Sequence, residues 1–194
     1  MRAYREWLPA NGFEARHSIA GSLATGNVED FYRTPCDMSY GFMIEFDLEF
    51  IGRAALEAIQ PNQKLKKVRL IWCPEDVVDI YASAFRSGDK YKKIELPVGG
   101  YAVAPNDWVQ HNGQDVGVSF YPAYSETDRR CFSLASIPPH FAVEGQELTL
   151  IWGEPDGGSR TPTVERHSQK IVRVTVDPSQ SKDINNGVTT LFQS

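Results

Sequence analysis

Apolar and polar residues alternate in several short runs over the last two thirds of the chain. The alternation is clearest within residues 147–152 and 171–176, and it is interrupted in residues 131–137. Successive side chains of a strand point to opposite faces, so this pattern predicts β-strands with one buried face. Less regular but apolar or aromatic runs predict further strands at residues 40–46, 68–72, 93–98, 101–104 and 116–121.

Turn signals separate these runs. They are Ser87-Gly88-Asp89, Asn112-Gly113, Glu144-Gly145 and Asp156-Gly157-Gly158. Asn-Gly between two strand-like runs is a strong signal for a tight hairpin. Many short strands at this spacing predict an all-β sandwich or barrel.

Two segments carry helical patterns. In residues 50–59, Ile51, Ala55, Leu56 and Ile59 share one face of a helix, and Pro61 follows its end. Pro74 and the acids after it predict a second short helix that extends to Ala84.

The change of pattern near residues 60–63 predicts a domain boundary. We therefore expect a short α+β segment over residues 1–60 and a β domain over residues 61–178. The polar residues 179–194 lack a core pattern and are expected to form a flexible tail.

Composition and charge narrow the class of protein. The chain has 194 residues, 41% of them hydrophobic, and a net charge of -5 without a long basic run. It therefore reads as a globular protein that binds neither nucleic acid nor an anionic membrane. The three cysteines form no paired framework, and no apolar run reaches membrane-spanning length, so we expect a cytoplasmic protein.

Local motifs for catalysis or metal binding are missing from the sequence. The four histidines, His17, His111, His140 and His167, lie in separate segments without metal-ligand spacing. No serine lies in a nucleophile elbow. We assign no catalytic and no metal-binding residue, and we interpret Glu165-Arg166-His167 as charges displayed before the last strand.

Several motifs carry a resemblance to a known family. They are Tyr4-Arg-Glu-Trp-Leu-Pro9, Gly26-Asn-Val-Glu-Asp-Phe-Tyr-Arg-Thr-Pro35, Asp37-Met-Ser-Tyr-Gly41, Glu45-Phe-Asp-Leu-Glu-Phe-Ile-Gly-Arg-Ala-Ala-Leu56 and Thr163-Val-Glu-Arg-His167. In order and spacing they resemble the C-terminal portion of the aminomethyltransferase family, which includes the glycine-cleavage T protein. The match looks most like its tetrahydrofolate-dependent aryl-methyl-ether O-demethylase branch, of the vanillate and syringate type.

The resemblance implies a fold and a function. Residues 1–60 would be the remnant of a folate-binding domain, and residues 61–178 a closed Greek-key β-barrel. The activity implied is methyl or aminomethyl transfer to tetrahydrofolate, with the N-terminal catalytic half absent and the chain inactive without it. The alternative is a standalone, non-catalytic binding or interaction module that forms a homodimer.

The resemblance also implies a cofactor, tetrahydrofolate, and an aromatic small-molecule substrate. Five aromatic residues near predicted turns are the candidates for walls of a cofactor site: Tyr40, Tyr101, Tyr121, Tyr124 and Trp152. T proteins have an arginine at the position of Tyr101, and basic residues where this chain has Glu45 and Asp47. The expected partner is a second copy of the chain or a separate N-terminal chain.

Overall fold

The computed structural model describes residues 19–59, 64–96, 104–159 and 164–178, and over these ranges the protein is mainly β. The strands are β1 (Ile19–Ala20), β2 (Lys66–Trp72), β3 (Ala104–His111), β4 (Gln114–Ser125), β5 (Arg130–Ile137), β6 (Glu147–Trp152) and β7 (Lys170–Asp177). The helices are α1 (Arg53–Ile59) and α2 (Pro74–Ser83). Short 3₁₀ turns occupy Val28–Phe31, Gly41–Met43 and Pro139–Phe141.

Six strands close into an antiparallel barrel in the order β3-β4-β5-β2-β7-β6. Closure comes from β3 and β6, which pair at Val109 with Leu150 and at Gln110 with Thr149. β1 lies outside this ring and pairs parallel to β3. The expected fold class, a closed β-barrel after a short α+β segment, is confirmed.

The barrel interior is filled by the inward-facing residues of the alternating strands. Val68, Leu70 and Trp72 of β2 are buried, as is every second residue of β7 from Val172 to Val176. Trp72 meets Trp152 of β6 edge to face, with ring centroids 5.2 Å apart. Each such aliphatic side chain contributes about 1.5 to 3 kcal/mol by leaving water, so the filled interior stabilises the barrel.

The predicted Asn-Gly hairpin is confirmed between β3 and β4. Asn112 has φ 51° and Gly113 has φ 77°. Two successive residues with positive φ match a type I′ turn, whose twist suits two antiparallel strands. The predicted helix at Pro74 is confirmed as α2, with the proline at its first turn. The predicted helix over residues 50–59 is confirmed from Arg53 onward.

The strand predicted over residues 40–46 is wrong. Its backbone bonds locally instead: the Tyr40 N–H donates to the Pro35 carbonyl, and that of Ile44 to the Gly41 carbonyl. Aromatic and β-branched residues favour a strand only where a neighbouring strand offers a ladder, and here Phe42 and Met43 are exposed.

The strand predicted over residues 93–98 is wrong in its described part, because residues 93–96 are irregular. Residues 97–103 lie outside the described ranges. The predicted strand at residues 101–104 reaches the described residues only at Ala104, where β3 begins and continues to His111. Within the described ranges, no helix combines the length and apolarity needed to traverse a bilayer.

Gly117 of β4 gives a direct test of barrel packing. A Cβ there would lie 2.4 Å from the Ser136 carbonyl oxygen and 2.7 Å from Ile137 Cγ2. We expect Gly117→Ala to lower the free energy of unfolding by about 1 to 3 kcal/mol, as overpacking does, measured by urea denaturation. Gly41→Ala is the matched control, because its Cβ would meet nothing closer than Cys36 Sγ at 3.5 Å, an ordinary van der Waals distance. Equal unfolding midpoints for the two variants would contradict the closed packing of β4 on β5.

Candidate functional site

Four charged or titratable side chains meet inside the protein beside the closure of the barrel. Lys92, Asp107 and Glu154 are buried, and the side chain of His167 is fully buried. We call these four residues the buried polar cluster. Charged groups rarely leave water unless they are paired, so their arrangement decides what this region does.

The cluster lies at the seam between β3 and β6. These strands pair only at Val109 and Gln110, and β4 occupies the other edge of β3. Beyond the paired residues, toward Ala104, residues 19–23 take the place of β6 along β3. Ile19 pairs with Ala104, and the Leu23 N–H donates to the Asn106 carbonyl at 2.9 Å.

Gly21 lets the entering segment approach β3 closely. Its φ is +103°, and a Cβ on it would lie 2.2 Å from the Asn106 carbonyl oxygen. Ser22 adds a further link, because its Oγ accepts the Trp108 N–H at 2.7 Å. Glycine is therefore the residue that fits this position of the seam.

The two carboxylates of the cluster accept the backbone N–H groups of the entering segment. Glu154 Oε1 accepts from the Gly21 N–H at 2.7 Å and from Lys92 Nζ at 2.7 Å. Asp107 Oδ1 accepts from the Ser22 N–H at 2.9 Å and from the Gly153 N–H at 3.2 Å. The N–H groups of residues 21 and 22 thus bond to side chains of the barrel rather than to a neighbouring strand.

His167 completes the cluster from the segment before β7. Its Nδ1 donates to the Glu165 carbonyl at 2.7 Å, and its Nε2 accepts the Glu154 backbone N–H at 3.0 Å and lies 3.1 Å from Glu154 Oε2. A Cβ on Gly153 would lie 2.9 Å from the ring. The interpretation of residues 165–167 as displayed charge was wrong for His167, because the 153–158 loop folds over its ring.

The environment shifts the pKa values of three of these groups. Burial disfavours the Glu154 carboxylate, but His167, Lys92 and the Gly21 N–H outweigh it and lower the pKa of Glu154 to about 2. Burial likewise disfavours the His167 cation, but the Glu154 carboxylate outweighs it and raises the pKa of His167. Burial raises the pKa of Asp107 to about 6, against the opposing effect of Lys92.

The cluster can accept hydrogen bonds from backbone N–H groups and stabilise buried charges, but it exposes no reacting group to solvent. Lys92 is further enclosed by Trp152, whose ring centroid lies 5.1 Å from Nζ and whose Nε1 donates to the Lys92 carbonyl. Among the described residues, no three His, Cys, Asp or Glu side chains are grouped to hold a metal ion.

The aromatic candidates lie in different environments. Trp152 packs in the core, and Tyr124 is partly buried against it. Tyr121 is 51% exposed, with φ 54°, at a bulge in β4. Tyr40 is exposed, with Lys67 Nζ 4.4 Å from its ring centroid. Tyr101 lies outside the described residues, and no ring contact joins any two of the four that are described.

A separate cavity of about 630 Å³ opens on the outer surface at the other end of the seam. Gln110, His111 and Thr149 contribute to its lining, together with Arg173. The Arg173 guanidinium is already paired, because it donates to both carboxylate oxygens of Asp76 at 3.0 Å. The cavity therefore offers polar groups without an unpaired cation for an anionic ligand.

Sequence reasoning missed the buried polar cluster, although one signal was present. Pro105, Asp107 and Val109 are buried at period two in β3. A carboxylate at an inward-facing position of a strand is buried, so it needs hydrogen-bond or ion-pair partners that are buried as well. Nothing local in the sequence connects it with Lys92, Glu154 or His167, which come from distant segments.

We expect Glu154→Gln to lower the free energy of unfolding by about 3 to 5 kcal/mol at neutral pH, because it leaves Lys92 buried without its counter-charge. The folded-state pKa of Glu154 lies below its ordinary value of 4.5. Its stabilisation is therefore present above pH 4.5 and lost as the pH falls toward 2, so the stability difference between wild type and variant shrinks over this range. Urea denaturation from pH 3 to 7 measures both effects.

The control is Glu57→Gln, which removes an exposed helix ion pair with Arg53. Exposed pairs contribute about 0 to 1 kcal/mol, so this variant stays close to wild type at every pH. Equal losses for the two glutamates would contradict the burial of the Glu154 pair.

The sequence of this chain is similar to those of several known enzymes. No protein-family model matches the chain. It is 38% identical over 175 residues to a syringate O-demethylase of Sphingobium sp. (strain NBRC 103272 / SYK-6), covering 90% of this chain and 38% of that protein. It is 32% identical over 187 residues to a sesamin methylene transferase of Sinomonas sp. (strain No.22), covering 91% of this chain and 39% of that protein.

More distant similarity extends to aminomethyltransferases. The one from Synechococcus sp. (strain CC9311) is 28% identical over 128 residues, which cover 64% of this chain and 28% of that protein. The chain spans less than two fifths of the length of each of these three relatives. Together with the closed barrel, these similarities show that the chain belongs to the aminomethyltransferase family and matches its C-terminal portion.

Proposed function

We propose that this chain is the C-terminal part of a tetrahydrofolate-dependent methyl or aminomethyl transferase that resembles the aromatic O-demethylases. The supporting observation is the 38% identity with a syringate O-demethylase over 90% of the chain, together with a match to only 38% of that relative. In this proposal the remaining polypeptide supplies the reacting groups. The barrel forms a rigid wall beside these reacting groups. The proposal places the protein in the cytoplasm.

The described residues alone fit tetrahydrofolate poorly. A folate site needs apolar walls for the pteridine and a cation for the glutamate tail. The ring of Trp152 is enclosed by Trp72 and Lys92, and the guanidinium of Arg173 is paired with Asp76. Glu45 and Asp47 add negative charge to the segment before the barrel. We therefore derive no step through the cofactor for the chain by itself.

Of the five aromatic candidates, Tyr40 and Tyr121 are the most exposed in the described ranges. We propose that these two rings face the aromatic substrate or the pteridine once the remaining polypeptide is bound. Tyr124 and Trp152 would support that wall from behind. Tyr101 remains the fifth candidate for this wall, at the position where T proteins carry an arginine.

The segment before the barrel presents the surface for this partner. α1 contains no buried residue, and an isolated two-turn helix is marginal in water. Large apolar side chains are exposed nearby, namely Tyr32, Tyr40, Phe42, Met43, Leu48, Ile51 and Ile59. Such a concentration of exposed apolar groups typically marks an interaction surface. The occupant is a separate N-terminal chain in the principal proposal and a second copy of this chain in the alternative.

The alternative function is a non-catalytic module that keeps the barrel and associates with itself. The same exposed apolar residues support it. Ligand binding in the two proposals differs, because only the first requires an added polypeptide to complete a folate site.

Activity after reconstitution tests the first proposal. We expect no transfer of a methyl group from syringate to tetrahydrofolate with this chain alone, because its described residues present no reacting group. Mixing it with a polypeptide covering the remaining N-terminal part of the Sphingobium relative should restore transfer, measured by chromatography of the demethylated phenol. The N-terminal polypeptide alone is the control. Activity of this chain alone, or no gain on mixing despite a stable complex, would contradict the proposal.

Self-association tests the exposed surface. We expect sedimentation velocity to show oligomers of the isolated chain at micromolar concentration, because association buries the apolar residues before the barrel. Met43→Lys together with Ile51→Lys should shift the distribution toward monomer. Val143→Lys, at an exposed apolar position on the barrel, is the matched control and should leave the distribution unchanged. A monomeric wild type would count against this surface.

A further inference from the structure

Residues 20–23 lie in the seam as a short buried run with exposed chain after it. All four residues are buried, whereas Ala24, directly after them, is exposed. Beyond it, Thr25 Oγ1 donates to Asp30 Oδ2 at 2.6 Å, so the following residues form hydrogen bonds of their own. The barrel therefore encloses four residues of the entering segment and releases the chain to the surface immediately afterwards.

The barrel holds the acceptors for this run in place. Glu154 Oε1 accepts Lys92 Nζ at 2.7 Å, and Asp107 Oδ1 accepts the Gly153 N–H at 3.2 Å. Each of these two oxygens also accepts one backbone N–H of the run. Acceptors that are already fixed by other groups lose little freedom when a ligand binds to them. The two carboxylates thus form a preorganised receptor for two successive backbone N–H groups.

The seam also discriminates between side chains along the run. A Cβ on Gly21 would lie 2.2 Å from the Asn106 carbonyl oxygen, so a larger residue does not fit there. The Ser22 hydroxyl accepts the Trp108 N–H at 2.7 Å. Leu23 is buried, and its N–H donates to the Asn106 carbonyl at 2.9 Å. The seam therefore selects glycine, then serine, then an apolar residue.

The barrel closes through contacts that do not involve this run. β3 pairs with β6 at Val109 and Gln110. Toward Ala104, the same edge of β3 pairs with Ile19 and Ala20 instead. A sheet edge that accepts a segment from outside its own ladder is one of the recurring ways in which domains bind peptides. In such sites the main-chain hydrogen bonds give affinity, and the side-chain positions give specificity.

We propose that the seam is a peptide-binding site that recognises residues 20–23 as a ligand, so that a second copy of the chain can supply this run in place of the seam's own residues. The ligand is a peptide with glycine and serine followed by an apolar residue. Its two N–H groups bind the Glu154 and Asp107 carboxylates, and its hydroxyl binds the Trp108 N–H. This site is separate from the proposed transfer reaction and does not depend on it.

A cleavable form of the full chain tests the site. A protease recognition sequence between Ala24 and Thr25 lies outside the buried run and is cut after folding. We expect the fragment of residues 1–24 to stay bound on gel filtration at micromolar concentration. A fluorescently labelled synthetic peptide of residues 1–24 should then replace it, as measured by fluorescence anisotropy. Dissociation of the fragment after the cut, or unfolding of the remaining chain, would overturn the proposal.

Variants of the labelled peptide identify the contacts without changing the barrel. Gly21→Ala should bind about tenfold more weakly or worse, because its Cβ would overlap the Asn106 carbonyl. Ser22→Ala should bind about three- to tenfold more weakly, because the Trp108 N–H loses its acceptor. Ala24→Ser changes the exposed position after the run and is the matched control, with wild-type affinity. Equal affinities for all four peptides would refute recognition by the seam, even if the fragment stays bound through other residues.

Discussion

The ion pair between Lys92 and Glu154 is the interaction on which this structure depends most. Its two charged atoms lie 2.7 Å apart, and both side chains are almost wholly buried. Removing an ion from water costs several kcal/mol, which is offset only when the remaining donors and acceptors are also satisfied. The Gly21 N–H donates to Glu154 Oε1, and His167 Nε2 accepts the Glu154 backbone N–H, so further hydrogen bonds hold Glu154 in place beside Lys92.

The barrel and the segment before it differ in how much of their apolar surface is buried. The barrel closes on itself and leaves few unpaired strand edges, and its core is continuous. The segment before it enters through residues 19–23, and beyond them only Cys36 among its described hydrophobic residues is buried. The barrel thus has a continuous core, whereas the described segment before it leaves most of its large apolar side chains exposed.

Much of the barrel could be predicted because local chemistry determines it. Asn112-Gly113 supplies two residues that tolerate positive φ, and the β7 pattern of alternating valines defines one buried face. The strand expected at residues 40–46 failed because strand propensity without a partner strand is overridden by local turns. The prediction missed residues 105–111 of β3, because Pro105, Asn106 and Asp107 resemble a loop until the seam around them is known.

The candidate site was harder to predict than the fold. Lys92, Asp107, Glu154 and His167 come from four segments, and only closure of the barrel brings them together. The aromatic candidates were identified by residue type and by their position near predicted turns, and neither property separates a core ring from an exposed one. Trp152 illustrates the difficulty, since its ring forms core contacts and its Nε1 bonds to Lys92.

A double-mutant cycle between Lys92→Met and Glu154→Gln tests most directly whether these two side chains form the buried pair on which the cluster depends. The free energy of unfolding of wild type, the two single variants and the double variant would be measured by urea denaturation at pH 6. We predict a coupling energy of at least about 1 kcal/mol, because each single variant leaves the other buried group unpaired. A coupling energy near zero would show that the two side chains do not form a buried pair and would contradict the account.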